Sequence, residues 1–131
     1  MFKVNDDLSI YVTRGDIALI DFGVTNKDGK AYTFKTDDVL RFKVFEKNGC
    51  DCVVLQKDFP IAESAESVEL LLTGEDTKIG ELINKPKDYW YEVELNPMTM
   101  PQTLVGYDED GAKVFRLFPE GKDVEVTAWE E

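Results

Sequence analysis

The stretch Asp88-Tyr89-Trp90-Tyr91-Glu92-Val93-Glu94-Leu95 alternates between two kinds of side chain with a period of two. Successive side chains of a β-strand point to opposite faces, so one half of the stretch faces inward and the other half outward. The inward set is Tyr89, Tyr91, Val93 and Leu95, and the outward set is Trp90, Glu92 and Glu94. This pattern predicts a central strand of a β-sheet.

The rest of the chain repeats this pattern in short segments that are separated by turn residues. Further strands are predicted at residues 17–24, 30–35, 39–47, 52–59, 102–107, 113–118 and 124–129, and residues 10–12 and 67–72 add short apolar segments. Asp28-Gly29, Asn48-Gly49 and Asp110-Gly111 supply the positive φ that tight hairpins need. Only residues 73–83 have helical spacing, so we expect at most one short helix. About eight or nine strands at this spacing predict an all-β antiparallel sandwich or barrel.

Length and composition are those of one globular domain covering residues 1–131. The chain has 43% hydrophobic residues, which is enough to fill a single core. The predicted core consists of Ile17, Ile20, Phe22, Phe34, Leu40, Phe42, Val44, Leu55, Leu70, Tyr91, Val93, Val105 and Phe115.

The charge balance argues against polyanionic partners. Twenty-seven acidic and 15 basic side chains, with no histidine, give a net charge of −12. Such a surface repels nucleic acid and anionic lipid. No apolar run has the length of a signal-peptide core or a membrane span. We therefore expect cytoplasmic synthesis without secretion by a signal peptide, compatible with later assembly into a virion, and neither nucleic acid nor a membrane as partner.

The usual catalytic signatures are missing from the sequence. Histidine, the commonest general base, is absent, and the glycines form no phosphate-binding loop. Glu92 and Glu94 would stand about 7 Å apart on a strand, near the separation used by inverting glycosidases. The favoured interpretation is a solvated strand face with lysine partners, so we expect no enzyme and no cofactor.

Metal binding is also disfavoured. Cys50 and Cys52, the only cysteines, would lie about 6.5–7 Å apart on a strand, too far for an unstrained disulfide. We expect two reduced thiols rather than a zinc site. The turns at residues 37–38 and 108–110 concentrate acidic oxygens, but the spacing of a calcium loop is not completed after Gly111. Turn-forming aspartates without a metal are favoured.

Two tryptophans are candidates for binding. Trp90, beside Glu92 and Glu94, and Trp129 could anchor a protein interface or form stacking platforms for sugar rings. An aromatic residue on the outer face of a sandwich favours the protein interface, with a carbohydrate-binding module as the alternative. A cytoplasmic regulatory protein steered by its negative charge to a basic partner is a third hypothesis.

Three stretches together carry a family resemblance. They are residues 10–18 (Ile-Tyr-Val-Thr-Arg-Gly-Asp-Ile-Ala), residues 38–47 (Asp-Val-Leu-Arg-Phe-Lys-Val-Phe-Glu-Lys) and residues 89–95 (Tyr-Trp-Tyr-Glu-Val-Glu-Leu). Their order resembles the immunoglobulin-like N-terminal domain of baseplate upper proteins, from tailed phages and prophages of Firmicutes. The resemblance implies an immunoglobulin-like sandwich and a non-enzymatic structural module of a phage or prophage particle. Its partners would be other structural proteins of the particle, with self-association into a homo-oligomer left open. Arg14-Gly15-Asp16 is then a β-turn rather than an integrin ligand.

Overall fold

The computed structural model of the chain describes residues 1–47 and 52–120. These residues form nine strands: β1 (Phe2–Val4), β2 (Ile10–Thr13), β3 (Ala18–Phe22), β4 (Val39–Phe45), β5 (Val53–Pro60), β6 (Val68–Leu72), β7 (Lys87–Leu95), β8 (Gln102–Val105) and β9 (Lys113–Phe118). Within the described ranges there is no helix.

The strands form two sheets. The larger sheet has the order β1-β2-β9-β7-β4-β5, with β8 also paired to β7, and the smaller sheet is the pair β3-β6. Buried side chains from both sheets belong to one hydrophobic cluster. The all-β prediction is confirmed, and the two facing sheets are consistent with a β-sandwich. The larger sheet is mixed rather than purely antiparallel, because β2 pairs with β9 in parallel.

β7 is the central strand that the opening stretch predicts. It pairs antiparallel with β4 on one side, where Val93 lies opposite Phe42 and Tyr91 opposite Val44. On its other side the N-terminal half pairs with β9 and the C-terminal half with β8. Tyr89, Tyr91, Val93 and Leu95 are all buried. The alternation along β7 therefore places four large side chains in the core from one strand.

Most of the predicted core is confirmed. Ten of the thirteen residues are buried: Ile20, Phe22, Phe34, Leu40, Phe42, Val44, Leu70, Tyr91, Val93 and Phe115. Leu55 and Val105 are partly buried against the cluster. The prediction that Ile17 belongs to the core is wrong, because its side chain is 63% exposed. Ala18 and Ile20 point inward, so the period of two turns Ile17 outward.

The hairpin predicted after β3 forms its turn and one bridge, between Thr25 and Ala31, but no second strand. Gly29 has φ +85° and donates its N–H to the carbonyl of Asn26, as a tight turn requires. Residues 30–35, however, form isolated bridges and no strand, with Phe34 bridged to Ala65 near β6. Phe34 is fully buried, with its ring centroid 6.2 Å from that of Phe22. The segment therefore places Phe34 in the core and does not extend the pairing with β3.

Residues 73–83 form a turn instead of a short helix. Thr77 donates its N–H to the carbonyl of Thr73, and Lys78 donates to Glu75. Ile79 is buried, whereas Leu82 is exposed to solvent. Gly80 has φ +66°, which interrupts a right-handed helix.

The cysteine prediction is wrong. Cys52 is disulfide-bonded, and the other cysteine, Cys50, lies outside the described residues. Cys52 precedes β5, so the extended spacing on which the prediction of reduced thiols depended does not apply to it. The predicted turn at Asn48-Gly49 and the predicted strand at 124–129 also lie outside the described residues. β1 was not predicted.

In the part of the chain that the structure describes, no helix has the length and apolar character needed to cross a membrane.

Phe42 provides the test of this packing. Its ring lies 5.4 Å from that of Tyr91 and 6.2 Å from that of Phe115, centroid to centroid. We expect Phe42→Ala to lower the free energy of unfolding by about 3–5 kcal/mol in urea denaturation, because it leaves a cavity in a buried site. Phe45→Ala, a half-buried position on the outer face of the same strand, is the matched control and should cost clearly less. Equal losses for the two variants would contradict the assigned orientation of β4.

Candidate functional site

The outer face of the larger sheet carries Trp90, Glu92 and Glu94, as the sequence predicts. All three side chains are half-buried, and they alternate with the inward residues of β7. Trp129, the fourth candidate interface residue, lies outside the described residues. Three of the four candidates therefore share one surface.

One lysine on the neighbouring strand pairs with both glutamates. Lys43 Nζ lies 2.5 Å from Glu94 Oε1 and 3.3 Å from Glu92 Oε1. Burial alone would lower the pKa of Lys43, but the hydrogen bonds that it donates to the two carboxylates, together with their negative charge, outweigh burial and raise this pKa. Glu92 and Glu94 are thus partners of one ammonium group in a cross-strand network.

The network continues to the edge strand β5. Arg41 Nε and Nη2 donate to the two carboxylate oxygens of Asp58 at 2.8 and 3.0 Å. This hydrogen bonding lowers the pKa of Asp58. Arg41 also lies opposite Glu94 in the pairing of β4 with β7. The three carboxylates of this network, Glu92, Glu94 and Asp58, are therefore paired with two cations of β4. These pairs depend on the register between the strands, which the sequence alone does not give.

Beside the charged network runs a row of apolar side chains. Phe45 lies opposite Trp90, and Trp90 lies opposite Val114 of β9. All three are half-buried. Trp90 therefore has an apolar neighbour on each adjacent strand, and its side chain is only partly accessible to solvent.

The acidic turns are occupied by intramolecular donors. Asp108 Oδ1 accepts hydrogen bonds from Lys113 Nζ at 2.8 Å and from the Asp110 N–H at 2.9 Å, and the bond from Lys113 lowers the pKa of Asp108. Burial would raise the pKa of Asp38, but hydrogen bonds from the Lys35 N–H, Asn96 and Tyr32 outweigh burial and lower it. Among residues 1–47 and 52–120, no three histidine, cysteine or acidic residues are arranged to hold a metal ion.

Arg14 of the Arg14-Gly15-Asp16 turn has a structural role. Its guanidinium donates to the carbonyls of Ile79 and Gly80 at 3.2 and 2.7 Å, and to Glu120 Oε1 at 2.5 Å. Only 11% of its side chain is exposed. The arginine therefore ties the turn after β2 to the loop that follows β6 and to the end of β9.

A second surface, on the smaller sheet, was not identified from the sequence. Leu19 and Leu71 lie directly opposite each other on its outer face, 47% and 41% exposed, and Ile17 adjoins them along the chain. The available signal was the continuous apolar character of residues 17–20 and 70–72, since such runs have apolar side chains on both faces. The outer face of the smaller sheet thus carries two exposed leucines beside the exposed acidic pair Asp21 and Glu69.

A cavity of about 340 Å³ opens between the sheets along β3. Ile20, Phe22 and Leu70 line it from the smaller sheet, and Phe42, Val93 and Leu104 line it from the larger one. Tyr91 also contributes, but its hydroxyl donates to the carbonyl of Leu8 at 2.5 Å. The lining is largely apolar, as is common in binding cavities.

Comparison with protein-family models, with curated proteins and with solved structures gave no match to this chain.

Lys43 tests the charged network on the larger sheet. We expect Lys43→Met to lower the free energy of unfolding by about 1–2 kcal/mol, because two half-buried carboxylates then face each other without a cation. Adding Glu94→Gln to that variant should restore part of the loss. Lys87→Met is the control, since Lys87 Nζ lies 3.9 Å from Glu46 and both side chains are about half exposed. A loss in the control as large as that of Lys43→Met would show that the effect is not specific to the network.

Proposed function

We propose that this chain is a non-enzymatic, immunoglobulin-like module that assembles with structural proteins of a phage or prophage particle. The strand order is the observation that carries the proposal. In the larger sheet, β9, β7, β4 and β5 are neighbours, and β3 and β6 pair in the opposite sheet. These neighbours correspond in chain order to strands G, F, C and C′ and to the pair B and E of immunoglobulin-type sandwiches.

The three stretches behind the phage resemblance fall on this framework. The first covers β2, the Arg14-Gly15-Asp16 turn and the start of β3, the second covers β4, and the third lies within β7. The motifs thus fall on strands that build the core of the sandwich. Because the motifs coincide with core strands and not only with turns, their placement supports a relationship in fold to the immunoglobulin-like domain.

A binding role is supported by the ion pairs of the acidic residues that were considered for catalysis or metal binding. The candidate acid pair Glu92 and Glu94 is bound to Lys43, and the acidic turn at Asp108 is bound to Lys113. The sequence contains no histidine. Exposed apolar side chains lie on and next to the smaller sheet, at Ile17, Leu19 and Leu71, and exposed apolar patches are typical of protein contacts.

Fractionation of phage particles tests the proposal. After prophage induction in a strain that encodes the chain, we expect it to sediment with particles on a density gradient, at a fixed ratio to other tail or baseplate proteins by quantitative mass spectrometry. A particle-free lysate supplemented with the purified chain is the control for adventitious sedimentation. The proposal fails if the chain stays in the soluble fractions. It also fails if the isolated chain binds a saccharide in a glycan screen and Trp90→Ala abolishes that binding, since this result identifies a carbohydrate-binding module.

A further inference from the structure

The smaller sheet has two outer edges, and the edge formed by β6 is covered. Lys57 Nζ donates to the carbonyl of Leu71 at 2.8 Å and pairs with Asp76 Oδ2 at 2.6 Å. Asp76 Oδ2 also accepts a hydrogen bond from the Thr73 N–H at 2.9 Å. Just before β6, Ala65 and Phe34 exchange two main-chain hydrogen bonds. A lysine held across a strand edge in this way prevents another strand from pairing there.

Among the described residues, no strand pairs with the outer edge of β3. Because the Leu71 carbonyl turns toward Lys57, Leu71 and the opposite residue Leu19 form a pair without hydrogen bonds to each other in the antiparallel ladder. The main-chain groups of Leu19 therefore point away from β6, as do those of Asp21 two residues later. Within the described residues, neither Leu19 nor Asp21 has a main-chain hydrogen bond to a third strand. Within residues 1–47 and 52–120, the outward main-chain groups of β3 therefore have no strand partner.

The cavity between the sheets lies along this open edge. Its lining includes residues 20–25 of β3 and the following loop on one side, and Val4, Leu104 and Val105 of β1 and β8 on the other. Alternate side chains of a strand added to β3 would point into this cavity, and apolar side chains match its lining. The opposite side chains would extend the outer surface that contains Leu19 and Leu71.

Charge on that outer surface indicates the chemistry of the added strand. Asp21 and Glu69 lie directly opposite each other and are both exposed. Neither takes part in an ion pair among the described residues. Like charges directly opposite on a sheet are destabilising, so a cation beside them would relieve repulsion as well as gain attraction.

We propose that the open edge of β3 binds an extended segment of a partner protein, which adds one strand with apolar side chains toward the cavity and a lysine or arginine beside Asp21 and Glu69. This inference names the contact surface of the assembly role proposed above and rests on that role. It combines main-chain pairing, which gives affinity, with alternate side-chain pockets and charge, which give specificity.

A second copy of the chain fits this edge less well. Antiparallel pairing of two β3 strands about Ile20 would place Leu19 of each copy beside Asp21 of the other. It would also bring together two chains that each carry a net charge of −12. A basic partner segment satisfies both the apolar and the acidic positions.

Synthetic strands test the proposal with the isolated chain. The probe is a fluorescent peptide of about eight residues, within the usual length of a strand, in which valine alternates with lysine or threonine. We expect saturable binding by anisotropy, with NMR shift changes centred on Leu19 and Asp21. The same peptide with N-methyl groups on the amides that face β3 should not bind, because it cannot donate to the ladder.

Charge reversal separates the acidic contact from simple apolar binding. Asp21→Lys/Glu69→Lys should bind the lysine peptide about tenfold more weakly or worse, and should gain affinity for a glutamate peptide of the same pattern. Glu63→Lys/Glu81→Lys makes the same change of charge at exposed positions away from β3 and should bind the lysine peptide like the original chain.

The proposal is overturned if the lysine peptide does not bind, if the N-methylated peptide binds equally well, or if both charge variants lose affinity alike. It is also overturned if the shift changes fall on β6 or the larger sheet, or if the isolated chain forms a concentration-dependent dimer through β3. A chain that sediments with particles but fails these tests retains its assembly role without this edge. A chain that passes them but is absent from particles retains the edge without the phage assignment.

Discussion

The packing of Phe42 against Tyr91 and Phe115 joins three adjacent strands of the larger sheet, β4, β7 and β9. The Tyr91 ring stacks on Phe42 at an interplanar angle of 20°, and the Phe115 ring meets it edge-on at 67°. Offset stacking and edge contacts are the favoured geometries of aromatic pairs. With β4, β7 and β9 fixed in this way, both outer strands and the smaller sheet have a defined apolar surface on which to pack.

The sequence predicted those parts of the fold in which alternation is strict. β4 and β7 are nearly regular, and their burial follows the predicted faces. The sequence failed where tertiary contacts override a local signal. Residues 30–35 alternate like a strand, but Phe34 leaves the hairpin to fill the core. Ile17 is apolar, but its position relative to Ala18 turns it outward. The disulfide at Cys52 was missed because the spacing argument assumed a strand that begins only at Val53.

The candidate site shows the same division. Alternation was sufficient to place Trp90, Glu92 and Glu94 on one surface, because that depends on a single strand. Their pairing with Lys43 depends on the register between β4 and β7, which periodicity does not contain. The open edge of β3 depends on which strands do not meet, and on Lys57 covering the edge of β6. Which strands pair is a property of the whole topology, so an unpaired edge cannot be predicted from the sequence of one strand.

On the outer face of the larger sheet, Glu92, Glu94 and Asp58 pair with Lys43 and Arg41. Among the described residues, by contrast, Asp21 and Glu69 of the smaller sheet have no ion pair, and the outer edge of β3 has no strand partner. Amide hydrogen exchange of the monomeric chain, followed by NMR, tests this difference most directly. We predict rapid exchange at Leu19 and Asp21 beside slow exchange at Ala18, Ile20 and Phe22, because the contact of the Leu71 carbonyl with Lys57 implies that these three amides face β6. Protection of Leu19 and Asp21 equal to that of Ile20 would contradict it, because the edge of β3 would then already be paired.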